Sequence, residues 1–574
     1  MSSTPTDPQP ARSWQRIPAP ALALAALFLG LAWLPRISQN PRLFGSFLAV
    51  GGCLLAWAGL LWLAARRSGR LFRVECAPLL RSHYIQGSVQ ICIYIYWGWY
   101  WPNVYAEAPL FLAQLVFLYA FDALLSWTRG RSWRVGCGPL PIILSTNVFI
   151  WFRDDWYYWQ FALVATAALG KEFIKWEREG KRTHIFNPSA FGLGVVSLIL
   201  IATSTTQYTW GPEIASTIGK PPHIYLEIFL LGLIVQYFFS VTLMTLSAAA
   251  VLCFLDLVYT RITGTYFFVD TSLPIAIFLG LHLLVTDPST SPRTNAGRVI
   301  FGGLYGLANF VLYWMLESYG IPEFYDKLLP VLALNLGVQA IDRQATSGWI
   351  GRFTRWEAGF RPRALNFAHM GCWAVLFAWM LGSGFVEAPH PGASLEFWKQ
   401  AYAEGKPGAG QKLLKMIGSR ADAGSPEAGN ALGVCYVEGR LVDLDRGAAA
   451  HYFSNAAAAG NRDACANVAM QFLFLREARS DQDVAHALAL LEARALKEGD
   501  ALAAALLGLA CETGRGRPLD PARAAQFQRL AAQGGLPARP SAPVWQGGLL
   551  AAERSRDDDA AREPARASPL PARH

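Results

Sequence analysis

Residues 283–306 read LLVTDPSTSPRTNAGRVIFGGLYG: an apolar run enters a polar, proline-punctuated turn, and a second apolar run leaves from its glycine-rich end. Inside a bilayer the chain must satisfy its own backbone, so non-helical backbone survives there only where protein buries it or where it lines a polar cavity. Such a turn predicts a polytopic helical bundle around it and a polar site at it. Asp287, Ser289, Thr290, Ser291, Thr294 and Asn295 are short hydrogen-bonding groups, Arg298 is a fixed cation, and Gly302, Gly303 and Gly306 permit close backbone approach. The set suits an anionic or amide-bearing cofactor. An ordinary inter-helix loop with an N-cap is the plainer reading of the same residues.

Composition agrees with a membrane protein carrying a soluble appendage: of 574 residues 53% are hydrophobic and 13% aromatic, and the mean hydropathy is +0.25. The net charge of +9 comes from short basic clusters between apolar runs, a distribution that marks topology and excludes a nucleic-acid footprint. Nine cysteines and nine histidines are scattered without metal-type spacing, so neither a disulfide framework nor a metal site is expected.

Residues 1–18 are polar and proline-rich and read as a cytoplasmic leader before a signal anchor. Two spans follow within 19–80, then further spans near 82–102, 110–127, 136–151, 156–173, 190–203, 224–240, 243–259, 269–285, 299–317, 328–341 and 370–386. The 136–151 span is short and broken by Pro139 and Pro141, the pattern that points to binding sites in transporters. Trp97, Trp99 and Trp101 read as an interfacial belt, with flavin stacking the sharper alternative. Two apolar helices start from polar turns, at Asn187 and at Asn295, and helix starts suit a phosphate or a flavin carbonyl. With about thirteen spans every basic cluster falls on one face, which the positive-inside rule makes cytoplasmic; the 204–222 loop and everything after residue 386 then lie outside.

Three motifs carry a family resemblance: GKEF at 170–173 with FNPSAFGLG at 186–194, TDPSTSPRTNAGRVIFGGLYG at 286–306, and LLPVLALNLGVQAID at 328–342. In order and spacing they resemble the membrane flavoprotein family containing the D subunit of Rnf-type electron-transport complexes and the B subunit of sodium-pumping NADH:quinone reductase. The resemblance covers roughly residues 80–345 and implies two five-helix halves holding FMN or riboflavin, with partner redox subunits. Carried over, it makes Asn187, Pro188, Asp287, Pro288, Thr294, Gly297, Arg298 and Gly302 the cofactor-binding residues. The family attaches FMN to the threonine of an S/T-G-A-T motif, whereas the loop here offers IAST, with Thr217 the nearest hydroxyl. Non-covalent flavin is the expectation, because Ser216 or Ala215 fills the glycine's place.

From residue 391 the chain turns polar and alanine-rich. Leu432, Gly433, Gly439, Asp445 and Ala449 return as Leu507, Gly508, Gly514, Asp520 and Ala524, with a degenerate middle copy in which Ala469 and Phe472 depart from the Leu-Gly and Tyr positions. A cadence in the thirties means stacked helix pairs. These residues resemble Sel-one-like repeats, relatives of tetratricopeptide repeats, and imply a protein partner. The expected fold is therefore all-α, a polytopic membrane bundle of two related halves followed by an α-solenoid. The expected divisions are 1–18 leader, 19–80 two spans, 81–345 core, 346–386 basic loop and last span, 387–424 linker and first helices, 425–536 repeats and 537–574 disordered tail. Two functions follow: a flavin-binding subunit of an electron-transport complex in a bacterial-type cytoplasmic membrane, or a flavin-free membrane scaffold whose repeats recruit a partner. The second draws on relatives that serve enediyne-type biosynthesis as accessory membrane proteins.

Overall fold

The computed structural model describes residues 13–15, 19–68, 72–78, 80–178, 180–269, 271–357, 359–387, 389–475, 480–536 and 545–548. Most of the expected leader, and the expected disordered tail apart from 545–548, lie outside the described residues. The chain divides into a membrane unit (Met1–Val258 and Asp270–His390) and a repeat unit (Tyr259–Val269 and Pro391–His574).

The membrane unit begins with β1 (Ser13–Gln15), α1 (Ala19–Gly30), the short α2 (Pro35–Ser38) and α3 (Pro41–Ser68). Phe28 and Phe47 stack at 5.2 Å and meet the ring of Phe161 edge-on at 5.1 and 5.2 Å, which locks these helices to the rest of the bundle. After β2 (Arg73–Cys76) come α4 (Arg81–Tyr100), α5 (Asn103–Thr128), β3 (Trp133–Val135), α6 (Pro139–Asn147), α7 (Tyr158–Phe173), the hairpin β4 (Lys175–Arg178) and β5 (Lys181–His184), and α8 (Pro188–Ala202). The short α9 (Gly211–Thr217) lies in the following connection. A second set then runs α10 (Ile224–Phe239), α11 (Thr242–Thr263), α12 (Ile275–Leu283), α13 (Asn295–Ser318) and α14 (Leu329–Ala345), and α15 (Gly348–Glu357) and α16 (Pro362–Gly382) close the unit. The fold is all-α in class, but the basic clusters form two small sheets, β1-β2-β3 and β4-β5, that hydropathy did not foresee.

Helices α4–α8 and α10–α14 are two five-helix halves whose third member has only 9 residues. At about 1.5 Å per residue such a helix covers roughly half of a bilayer core. The expected continuous span at 269–285 is thereby corrected: only Ile275–Leu283 is helical. The halves meet like against like, α4 on α10 and α8 on α14. Ion pairs fix which ends share a face. Arg129 at the end of α5 and Lys175 after α7 both bind Glu172; at the opposite face Arg36 binds Glu107 and Asp154, and Arg153 binds Glu213 at 2.6 Å. Since α5 and α7 end on one face, the chain between them must cross, and it does so as α6 followed by the buried stretch 148–152. Asn147 closes that helix end, donating to Gln114 Oε1 at 2.8 Å and accepting from Gln114 and Gln160. The polar break is satisfied by side chains from α5 and α7.

Among the described residues five helices are long and apolar enough to cross a membrane by length and composition: α3, α5, α11, α13 and α16. The expected aromatic belt is corrected in part: Trp99 is 76% exposed, but Trp97 is fully buried and packs with Trp101 and Trp151.

The repeat unit stacks α17 (Leu395–Ala403), α18 (Ala409–Asp422), α19 (Pro426–Glu438), α20 (Arg446–Ala458), α21 (Arg462–Ala469), α22 (Asp481–Lys497), α23 (Ala501–Thr513) and α24 (Pro521–Gln533) as successive neighbours. Ser425, Asp445, Asn461, Ser480, Asp500 and Asp520 each cap the helix that follows with a side-chain oxygen. Where Ala469 and Phe472 break the cadence, α21 is followed by a π-helical turn at Met470–Phe474. Trp398, Leu413 and Ile417 share a core with Ala428 and Leu432, so the solenoid stacking already includes α17 and α18. Cys435, Cys465 and Cys511 are buried core residues.

Gly302 explains how α13 docks. A Cβ there would sit well inside van der Waals contact with Met244 O and Ser247 Oγ of α11, and one at Gly306 would meet Ala248 O at 2.6 Å. Gly302→Ala is expected to cost about 1–3 kcal/mol through forced separation of the two helices. Gly303→Ala, whose Cβ would meet Val251 at an ordinary 3.7 Å, is expected to be silent. Thermal unfolding of the detergent-purified variants checks the contrast.

Candidate functional site

The turn between α12 and α13 is built from side chains of three other elements. Asn187, the N-cap of α8, accepts from Ser189 N and Ala190 N, while its Nδ2 donates to Leu284 O at 3.2 Å and its own N–H donates to Asn335 Oδ1 of α14 at 3.1 Å. One side chain thus starts a helix and satisfies the carbonyl where α12 ends. Asp287 folds the first bend of the turn: its Oδ1 accepts from Ser289 N at 3.0 Å and Ser289 Oγ at 2.7 Å, and His184 Nε2 reaches Ser289 Oγ at 2.9 Å.

Asp342 of α14 holds the second bend. Its carboxylate accepts from Arg293 N at 2.9 Å, from Thr294 N at 3.2 Å, from Thr294 Oγ1 at 3.2 Å and from Arg178 Nη2 at 2.6 Å. Arg178 in turn donates to Ser291 O at 3.1 Å. Thr294 caps α13 through Gly297 N, and a Cβ at Gly297 would press on Thr294 Oγ1 and on Asp342 Oδ1.

A cavity of about 600 Å³ opens beside this turn. Asn187, Pro188, Ser189, Asp287, Pro288, Ser289 and Arg293 line it together with His83, Gly138, Ser145, Lys171 and His184. His83, Gly138, Lys171 and His184 also border a second cavity of about 370 Å³ that adds Asp122, Arg134, Glu172, Lys175 and Arg182. The volumes suit a bound small molecule. Lys171 ends α7 facing both cavities, and its ammonium has no hydrogen-bond or ion-pair partner among the described residues; Asp122 and Asp287 act on it only at longer range. His83 is likewise unpartnered there. An unpaired cation and an imidazole among helix ends form a donor set for an anionic or carbonyl-rich ligand.

Of the residues singled out from sequence, Asn187, Pro188, Asp287 and Pro288 share this cavity. Thr294 and Arg298 face a different recess with Glu357, Asn366 and His369. There the Arg298 guanidinium donates to Pro292 O and Asn295 Oδ1, both at 3.2 Å. Gly297 and Gly302 are packing positions. Thr217 is in neither cavity: its hydroxyl donates back to Glu213 O at 2.7 Å within α9. Sequence reasoning passed over Lys171, His184, Arg178 and Asp342 as site residues. Lys171 and Asp342 stood inside the quoted motifs, whereas Arg178 was counted among basic residues that mark topology.

No family model matches the chain. Over 68 residues it is 43% identical to the D subunit of the ion-translocating oxidoreductase complex of Escherichia coli O1:K1, and 41% identical to that of Pectobacterium carotovorum subsp. carotovorum. Each alignment covers 12% of this chain and 18% of the relative, so the match spans under a fifth of the curated relatives' length. A crystal structure of a protective antigen present in uropathogenic Escherichia coli strains, displaying an SLR fold, aligns with 34% of this chain and 48% of its own. It is 20% identical with a TM-score of 0.20, too low to carry an argument. The chain is a membrane-type helical protein with partial similarity to one component of an ion-translocating oxidoreductase.

Asp342 makes the turn testable. Asp342→Ala is expected to cost about 3–5 kcal/mol, because the Arg178 guanidinium, with 7% of its side chain exposed, loses its counter-charge. Asp342→Asn, which keeps an acceptor oxygen, is expected to lose less. Thermal unfolding in detergent reads both.

Proposed function

We propose that the chain is an integral membrane subunit of a flavin-dependent, ion-translocating-oxidoreductase-like electron-transport complex, with the cavity at Lys171 as the flavin site and the repeats as the docking unit for a protein partner. The observation that carries this reading is the unpartnered Lys171 ammonium at the border of two cavities, the larger of which is walled by the Asn187 and Asp287 turns. The local identity to the D subunit of an ion-translocating oxidoreductase complex supports it. FMN or riboflavin, when bound, supplies the redox chemistry. The chain's own residues supply position: Lys171 and His83 face the ligand's electron-rich groups, and Asn187 and the Asp287–Ser289–His184 set hold the wall rigid. Thr217 favours non-covalent binding, since its hydroxyl is already donated to its own helix.

The membrane reading extends to sidedness. The face bearing Arg129, Arg131, Lys175 and Arg182 is the cytoplasmic one by the positive-inside rule. The unit's last helix ends at the other face, where Glu387 contacts His223 and accepts from Leu226 N, so the repeats are extracytoplasmic. A reporter fused after residue 400 that works only in the cytoplasm overturns this.

The protein purified from riboflavin-supplied cells is expected to be yellow and to release its flavin on denaturation. Lys171→Met is expected to lower flavin content by about tenfold or more at unchanged folding, the loss appropriate to one charge-assisted hydrogen bond. A colourless wild-type protein leaves the flavin-free scaffold as the function. A fluorescent full-length band in denaturing electrophoresis that vanishes in Thr217→Ala means covalent attachment instead.

A further inference from the structure

The repeat unit holds a short segment of its own chain in the manner of a ligand. Asn430 of α19 and Asn467 of α21 occupy the same place in successive repeats, two residues before Leu432 and Ala469, and their side chains are 2% and 0% exposed. Asn467 Oδ1 accepts from Gln546 N at 2.8 Å, and its Nδ2 donates to Gln546 O at 2.9 Å. Asn430 Nδ2 donates to the same carbonyl at 2.9 Å and receives Asn467 Nδ2 on its own oxygen at 2.8 Å. The two carboxamides therefore read both main-chain groups of one residue. In the next repeat the equivalent position is Ala505, two residues before Leu507, so the device is confined to this groove.

The flanking residues add selectivity. Trp545 stacks on Phe453 of α20 at 5.6 Å with the rings 19° apart, and it packs against the repeat core. Gly547 has φ +66°, and a Cβ there would meet Asp463 Oδ2 at 2.5 Å and Asn430 Nδ2 at 2.6 Å. Gly548 lies over Val434, where a Cβ would come to 3.1 Å. A segment of the form aromatic-x-Gly-Gly meets four conditions: a ring for Phe453, a main-chain N–H and C=O for the carboxamides, a left-handed turn, and little bulk at the wall. Buried carboxamides left without partners are costly, so a groove with this pair is built to be filled.

We propose that the groove between α19, α20 and α21 is a docking site for an aromatic-x-Gly-Gly segment of a partner protein, and that Trp545 to Gly548 fills it in cis until the partner displaces it. The inference deepens the partner-docking role given to the repeats and is independent of whether the membrane unit binds flavin. The probe is a fluorescein-labelled synthetic peptide, APVWQGGLL, matching residues 542–550, titrated by fluorescence anisotropy against the full-length protein in detergent. Trp545→Ala, which weakens the cis occupant, is expected to bind the peptide at least about tenfold more tightly than the wild type. Adding Asn430→Asp and Asn467→Asp, near-isosteric changes that remove both donors, is expected to reverse that gain by about tenfold or more, with circular dichroism melts confirming the fold. The peptide APVWQAGLL is expected to bind the Trp545→Ala protein at least about tenfold more weakly than APVWQGGLL, which keeps the test decisive should the Asp variants not fold. Equal binding by wild type and Trp545→Ala, binding untouched by the Asp changes in folded protein, or equal affinity for the two peptides overturns the proposal.

Discussion

The membrane unit depends on how the backbone of the α12–α13 turn is satisfied away from bulk water. Asp342 takes the N–H groups of residues 293 and 294, Asn187 takes the carbonyl of Leu284, and Arg178 takes that of Ser291. Each donor or acceptor comes from a different element, so the turn ties α8, β4 and α14 to the start of α13. A buried backbone group left unpaired costs about as much as the net worth of one or two ordinary hydrogen bonds, and here several would be lost together. The irregular backbone is therefore one of the places where the second half is joined to the first, beside the α4–α10 and α8–α14 contacts.

The two nine-residue helices follow from the same constraint. A helix that stops midway exposes polar ends, and the fold uses buried Asn and Gln side chains to close them: Asn147, Gln114 and Gln160 at α6, Asn187 at α12. Once those side chains are engaged, what is left unengaged becomes informative. Around the cavity the Asp287, Ser289 and Asn187 groups all have partners, whereas Lys171 and His83 have none among the described residues. The residues most conspicuous in the sequence are thus the ones that build the wall. The ones free to meet a ligand are an ordinary-looking lysine at a helix end and a histidine at a helix start.

That contrast also explains what sequence could and could not tell. Hydropathy and the proline-rich turns made the helical class and the irregular backbone at 287–294 legible, because those signals are local, whereas the two halves came from the family resemblance. Arg298 and Gly302 were assigned toward a cofactor by the family resemblance. In the fold the guanidinium donates to Pro292 O and Asn295 Oδ1, and Gly302 gives the backbone of α11 its close approach. Neither outcome is visible without knowing which helix lies opposite. Arg178 and Asp342 are 164 residues apart in the chain, and nothing local marks a salt bridge at 2.6 Å between them. The repeats were legible through their cadence, and the departure at Ala469 and Phe472 was correctly placed where the helix widens into a π-turn.

Both units use the same chemical device, a short carboxamide or carboxylate reading main-chain groups, but with different permanence. In the membrane unit the groups read belong to helix ends fixed by the whole bundle, so the contact can be lost only by unfolding. In the repeat unit the segment held, 545–548, belongs to the same chain as the groove and comes after the last helix, which ends at Gln533. A segment held in cis has the effective-concentration advantage of an intramolecular contact. A competing segment from another protein must exceed that advantage, either by binding more tightly or by being itself held nearby through other contacts. The arrangement therefore favours partners already concentrated against this protein, such as neighbours in one membrane assembly, over proteins met once by diffusion.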